Sequence, residues 1–123
     1  MSFYNDVLQY DIQKQAIKPV RTMGMPPCKR AYHGSTTIAD TMFIFGGYNY
    51  KKYAGTDLYA FSANRKEWTV VPVAEGSARP MSRSAFGFFS FEKTLYIVGG
   101  HFWEVTFQGI WEYSLKTRLW KSM

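Results

Sequence analysis

The chain has 123 residues, with 15 basic and 9 acidic side chains, a formal charge of +6, 19% aromatic residues and one cysteine. That length suits one domain with an adequate core, and the lone Cys28 excludes an internal disulfide. Its charges are scattered, paired only at Lys29-Arg30, Lys51-Lys52 and Arg65-Lys66, which excludes the concentrated basic face that nucleic-acid binding needs. No apolar run approaches the ~20 residues of a membrane span, and no basic-then-apolar leader opens the chain. The expectation is a soluble protein of the cytoplasm, with the nucleus as the alternative. Its basic surface implies a modest preference for acidic partners.

In chain order, Phe3 to Asp11 and Ala16 to Val20 read as two outer strands. Thr22 to Pro27 is a breaker cluster and therefore a loop. Lys29 to Ile38 is the next predicted strand, turning through Ala39-Asp40-Thr41 into Met42 to Phe45. Four consecutive apolar residues there predict a strand buried on both faces, and Gly46-Gly47 marks where it stops. Tyr48 to Gly55 reads as a long loop carrying Tyr48, Tyr50 and Tyr53. Asp57 to Phe61 is a third strand, Asn64-Arg65 a turn, and Glu67 to Val71 a fourth. After a Pro72 to Ser82 linker, the strands are Arg83 to Phe91, Thr94 to Val98, Gly109 to Ser114 and Arg118 to Lys121. The loop from His101 to Gln108 holds Phe102, Trp103 and Phe107. No useful segment shows a helical period, so almost no helix is expected.

The second set of strands copies the first. Met42-Phe43-Ile44-Phe45-Gly46-Gly47 returns fifty-three residues later as Leu95-Tyr96-Ile97-Val98-Gly99-Gly100. Arg30 and Arg83 each stand thirteen residues upstream of the second strand residue, Phe43 or Tyr96, and Gly34 and Gly87 follow those arginines by four. Six residues separate Phe61 from Trp68, and six separate Tyr113 from Trp120. A weaker copy opens the chain at Asp6 to Tyr10, with Ile17 at the tryptophan position. A fixed period near fifty, each unit made of several short strands, is the signature of a propeller blade.

An apolar strand, a diglycine and an aromatic residue spaced by six from a tryptophan together resemble the kelch repeat, over nearly the whole chain. The resemblance implies an all-β fold of four-stranded antiparallel blades. Residues 3–22 would form a half blade, 28–72 one blade and 82–123 another, all within one partial propeller spanning 1–123. Ten predicted strands make about two and a half blades, whereas rings close with 4–8. The expectation is therefore an incomplete ring, a portion of a larger propeller whose remaining blades come from further sequence.

Catalytic provision is thin: His33, His101 and Cys28 show no zinc-type spacing, and no Gly-x-Ser-x-Gly elbow or phosphate-cradling loop occurs. No catalytic residue, metal ligand or cofactor is assigned. Some propellers of kelch type are copper enzymes, so a galactose-oxidase-like oxidoreductase is the alternative class. His33 is expected to be held by strand contacts, and His101 to follow the diglycine toward the ring's central opening. Arg30 and Arg83 are expected to bond buried carbonyls between blades. Trp68, Trp120, Gly46, Gly47, Gly99 and Gly100 are framework by the same logic.

In kelch propellers the partner-binding face is lined by residues just after each diglycine and each repeat arginine. The resemblance then implies Tyr48, Asn49, Tyr50, His101, Phe102 and Trp103, together with Ala31-Tyr32 and Ser84-Ala85. It implies an interaction module for a peptide or protein, with ubiquitin-ligase adaptor and cytoskeletal binder as specific forms. The linkers Gly24 to Arg30 and Gly76 to Arg83 look like those of kelch-domain-containing and host-cell-factor-like proteins. Arg30-Ala-Tyr-His-Gly34 is equally similar to a first strand of BTB-kelch adaptors, although no BTB domain or cullin-binding box is visible. Ile17, Gly109 and Phe86 depart from the repeat pattern.

Overall fold

The computed structural model describes residues 2–50 and 52–123; Lys51, counted above in a loop and a basic pair, lies outside the described residues. Among the described residues there are fifteen strands and no helix. The first two strands, β1 (Val7–Asp11) and β2 (Ala16–Val20), form an antiparallel hairpin. The next sheet contains β3 (Met23–Gly24), β4 (Gly34–Ile38), β5 (Thr41–Phe45), β8 (Tyr59–Ser62) and β9 (Glu67–Val70), in the order β3-β9-β8-β5-β4. Between β5 and β8 a small hairpin is made by β6 (Tyr48–Asn49) and β7 (Lys52–Tyr53). The last sheet is β10 (Gly87–Phe91), β11 (Thr94–Val98), β14 (Ile110–Ser114) and β15 (Trp120–Ser122), in that order. It carries its own small hairpin, β12 (His101–Phe102) with β13 (Val105–Thr106). These are kelch-type blades in an unclosed ring.

The fifty-residue period extends to the backbone. Among the described residues, nine non-glycine residues have positive φ: Gln15, Tyr32, Ala39, Tyr50, Lys66, Ala85, Glu92, Trp103 and Arg118. They fall at repeat-equivalent turns: Tyr32 with Ala85, Ala39 with Glu92, Tyr50 with Trp103, and Gln15 with Lys66 and Arg118. Ala39-Asp40 and Glu92-Lys93 are two-residue hairpin loops, where left-handed backbone matches the right-handed twist of the flanking strands.

Several expectations change. Fifteen strands replace ten: the two diglycine loops fold back as two-residue ladders too short to show a period, which adds four, and β3 adds the fifth. Thr22 to Pro27 is not only loop: Met23–Gly24 adds a fifth, parallel strand beside β9. Gly24 permits this, since a Cβ there would collide with the Trp68 carbonyl oxygen. The first strands begin at Gly34 and Gly87 rather than Lys29 and Arg83, because Tyr32 and Ala85 turn through φ of 60° and 54°. The fourth strand of the last sheet starts at Trp120 because Arg118 is itself a turn residue.

Two seams hold the sheets face to face. Phe43, Phe45, Leu58, Ala60 and Val71 of the middle sheet pack against Leu95, Ile97, Tyr113 and Trp120 of the last. Complete burial of a side chain such as Phe45 contributes about 1.5–3 kcal/mol. The innermost strands also touch: Thr36 Oγ1 donates to Ser90 Oγ at 3.2 Å, and Ser90 Oγ to the Thr37 carbonyl at 2.8 Å. The second seam packs Val7 and Val20 of the first hairpin on Met42, Ile44, Tyr59, Phe61 and Trp68. Each linker is clipped to the outer edge of the blade it enters. Met23 N–H donates to the Lys66 carbonyl at 2.8 Å, and Ala74 N–H to the Arg118 carbonyl at 2.8 Å.

The outer faces of the stack carry the same residue types uncovered. Tyr96 and Val98 occupy the positions of Phe43 and Phe45, yet Val98 is exposed and Tyr96 only half-buried under Phe89. The expectation that the second diglycine strand is buried on both faces therefore fails at these two residues. At the other end, Ile17 is 65% exposed where its counterpart Trp68 is 4% exposed. Leu8 and Tyr10, the counterparts of Tyr59 and Phe61, are exposed with it.

Candidate functional site

The diglycines set the geometry of the loop face. Gly46 and Gly47 have φ of +72° and +89°. A Cβ on Gly46 would collide with the Arg83 carbonyl oxygen, and one on Gly47 would lie 2.6 Å from that of Ala31. The bare backbone lets Gly47 N–H donate to the Arg83 carbonyl of the neighbouring blade at 2.7 Å. The arginine side chains turn the other way, into their own repeat. Arg30 Nε donates to the Cys28 carbonyl at 3.0 Å and Nη1 to the Gly46 carbonyl at 3.1 Å. Arg83 makes the same pair to Met81 at 3.1 Å and Gly99 at 3.0 Å. The expected bonding between blades thus belongs to the arginine backbone, while the guanidinium ties each diglycine to its own linker. Phe107 lies 4.0 Å under the Arg83 guanidinium, and Tyr59 lies 5.3 Å from that of Arg30. Burial lowers the pKa of Arg83 below the usual arginine value. Trp68 is buried beside Phe61 at 5.0 Å, and Trp120 fills the space between Phe45 and Tyr113 at 5.8 and 5.2 Å.

With those anchors fixed, the residue after each arginine pairs with the residue after each diglycine. Ala31 and Tyr48 exchange two backbone hydrogen bonds of 2.9 Å, as do Ser84 and His101. The chain then folds back, and Ala54 and Phe107 N–H groups donate to the Gly47 and Gly100 carbonyls at 2.8 and 2.9 Å. Two parallel-running hairpins result, β6–β7 and β12–β13, one on each blade.

A cleft of about 740 Å³ lies between them, lined by Tyr48, Tyr50, Lys52, Tyr53, Ser84, His101, Phe102, Trp103, Glu104 and Val105. Tyr53 stands at its centre. Its hydroxyl accepts the Trp103 backbone N–H at 3.1 Å and lies 3.5 Å from Ser84 Oγ, bridging the two blades. Its ring meets those of Phe102, Trp103 and Tyr48 at centroid distances of 4.7, 5.2 and 5.6 Å. The chain of rings continues from Tyr48 to Tyr32, stacked at 5.2 Å, and through the buried Phe3 to Tyr50 at 4.9 Å.

Six of the residues implied by the repeat resemblance meet in this cleft: Tyr48, Tyr50, Ser84, His101, Phe102 and Trp103. Asn49 does not line it, its side-chain amide being turned back to donate to the Lys29 carbonyl. Tyr32 flanks the cleft from behind Tyr48. Sequence reasoning missed Tyr53, Lys52, Glu104 and Val105, the turn and returning arms of the hairpins. The available signal was the symmetric placing of Tyr48-Asn49 and Lys52-Tyr53, which pair with each other.

The turn residues separate the two ends of the sheets. At the far end, left-handed positions hold Gln15, Ala39, Lys66, Glu92 and Arg118. At the loop end they hold Tyr32, Tyr50 and Trp103, beside Ala85. A bulky side chain at positive φ is strained, and Tyr50 and Trp103 are 67% and 61% exposed, so burial does not offset that strain. Such strain concentrates where a side chain is held out for contact.

His33 lies away from the cleft, beside Gly47 and among residues of the second seam. Burial, and secondarily the charge of Arg30, lowers its pKa below the usual 6.5. Among the described residues no three His, Cys, Asp or Glu side chains cluster as metal ligands.

Comparison with known proteins gives consistent results. The profile of the KLHDC2/KLHL20/DRC7 Kelch-repeats domain matches residues 1–123. Kelch domain-containing protein 3 of Bos taurus is 36% identical over 75 residues, covering 61% of this chain and 19% of that protein. The Rab9 effector protein with kelch motifs of Xenopus laevis is 33% identical over 86 residues, 68% of this chain and 23% of that protein. The leucine-zipper-like transcriptional regulator 1 homolog of Drosophila melanogaster is 23% identical over 117 residues, 90% of this chain and 12% of that protein. The chain thus spans between 12% and 23% of the length of these three relatives.

Proposed function

The chain belongs to the kelch-repeat family, and on that premise we propose that it is a protein-interaction module whose docking face is the aromatic cleft between β6–β7 and β12–β13. The observation that carries this reading is the placement of Tyr50 and Trp103 at positive φ, exposed, at equivalent tips of adjacent blades. Tyr and Trp present large amphipathic area at small entropic cost, which is what interface anchors need. A relative named as an effector of Rab9 supports a protein as the partner. Roles as ubiquitin-ligase adaptor or cytoskeletal scaffold in the cytoplasm, or in the nucleus, fit the same docking mode. The net charge of +6 steers acidic partners toward the surface at long range.

The uncovered faces at Tyr96, Val98 and Phe89, and at Leu8, Tyr10 and Ile17, support a second element of the proposal. Further kelch blades cover them, as these blades cover each other. The test of the docking face is capture of a partner by the immobilised chain, compared with Trp103→Ala and Tyr50→Ala. Both variants are expected to lose capture while keeping the melting temperature. Capture that survives both substitutions contradicts the proposal.

A further inference from the structure

We infer that the cleft takes a proline-rich segment in the extended left-handed polyproline conformation. The inference rests on the reading of the cleft as the docking face and adds the chemistry of its occupant.

Ring geometry is the first argument. Tyr53 meets Phe102 at an interplanar angle of 40°, Tyr48 at 53° and Trp103 at 77°, and Phe102 meets Trp103 at 74°. Inclined rings leave notches between them. Nucleobases stack on flat aromatic faces, whereas the puckered pyrrolidine rings of a polyproline helix wedge into aromatic-lined grooves.

Hydrogen-bond capacity is the second. Tyr48, Tyr50 and Tyr53 hydroxyls, the Trp103 indole and the Lys52 ammonium all donate, and Glu104 is the one carboxylate among the lining residues. Tyr53 already accepts the Trp103 backbone N–H, and its own proton has only the long 3.5 Å contact to Ser84 Oγ to compete with a ligand carbonyl. A polyproline segment is the complement: its carbonyls make no internal hydrogen bonds, and its prolines bring no N–H that requires an acceptor.

Charge is the third. Among the described lining residues Lys52 and Glu104 carry one charge of each sign, so neither sign dominates there. Selection falls to shape and donor placement. The walls are also pre-set, since the Tyr53–Trp103 bond ties one hairpin to the other before any ligand arrives. A stiff ligand meeting a pre-set cleft loses little entropy on binding.

The test uses the full chain and three probes: a decaproline peptide, a glycine-serine peptide of equal length, and a display library of random peptides. The prediction is saturable binding of decaproline with no response to the glycine-serine peptide. Library selection should enrich proline at a spacing of three. Trp103→Ala and Tyr50→Ala should each weaken binding about tenfold or more, with unchanged melting temperature. Enriched peptides that lack proline but still depend on Trp103 overturn the ligand class and leave the docking face intact. Enrichment indifferent to both substitutions, or no enrichment at all, overturns the docking face as well. Binding of a glycan array in place of peptides overturns the polyproline assignment in favour of sugar recognition.

Discussion

Arg30 and Arg83, fifty-three residues apart, make the same two hydrogen bonds: each Nε reaches the carbonyl two residues back and each Nη1 the carbonyl sixteen residues on. Each arginine is buried, and each fastens the linker that enters a blade to the diglycine that leaves its second strand. The loop face is therefore built twice from one set of instructions. Its cleft lies where the two copies stand side by side.

Removing either guanidinium leaves two carbonyls without their donor. Arg30→Ala and Arg83→Ala are expected to cost about 3 kcal/mol each, roughly 10 °C in melting temperature. Lysine cannot restore the forked geometry, so Arg83→Lys should recover less than half of the loss by thermal denaturation.

Gly46→Ala adds a Cβ that collides with the Arg83 carbonyl oxygen at a φ of +72°. Left-handed backbone alone costs a non-glycine residue about 1–2 kcal/mol, and the collision opens the bond from Gly47 to Arg83. Loss of cooperative unfolding is the expected outcome, with early exchange of the Gly47 amide. Gly55→Ala, where a Cβ meets open space, should leave stability within about 0.5 kcal/mol.

Trp103→Asn tests whether the strain at the tip serves docking. Asparagine tolerates left-handed backbone better than tryptophan, and the lost ring contact with Tyr53 opposes that gain. The expected net change is within about 1 kcal/mol by urea denaturation, with capture abolished. A drop of several kcal/mol would make Trp103 a framework residue.

His33 sets a pH dependence. Its folded pKa lies below the usual 6.5, so the unfolded chain takes up the proton first as acid is added. The stability that neutral His33 contributes is complete above 6.5 and declines as pH falls below that value, levelling off once the folded form also protonates. Urea midpoints measured from about pH 8 to about pH 5 should fall in the wild type and fall less in His33→Gln.

Much of this fold was legible because its strongest signals are local. Four apolar residues followed by a diglycine announced β5 and β11, and the tryptophans spaced by six announced the outer strands. What stayed hidden has a common cause: short elements whose structure is decided by neighbours. Met23–Gly24 pairs only because Trp68 passes beside it. Nothing in Lys29-Arg30-Ala31-Tyr32 announces that Tyr32 adopts a φ of 60°. The loop face was readable through repeat position, which brought Tyr48, Tyr50, Phe102 and Trp103 together. Tyr53 was not, because its importance comes from a bond to Trp103 on the next blade, fifty residues away.

The side-by-side stacking of the two diglycine sheets underlies every statement about the cleft, and a cross-link tests it most directly. Thr36→Cys and Ser90→Cys, placed in a Cys28→Ser background, put two thiols where the native hydroxyls lie 3.2 Å apart on β4 and β10. Dilute air oxidation is predicted to give a near-quantitative intramolecular disulfide that leaves the melting transition intact. Thiols that stay free, or that join only between molecules, would contradict the stacked-blade arrangement.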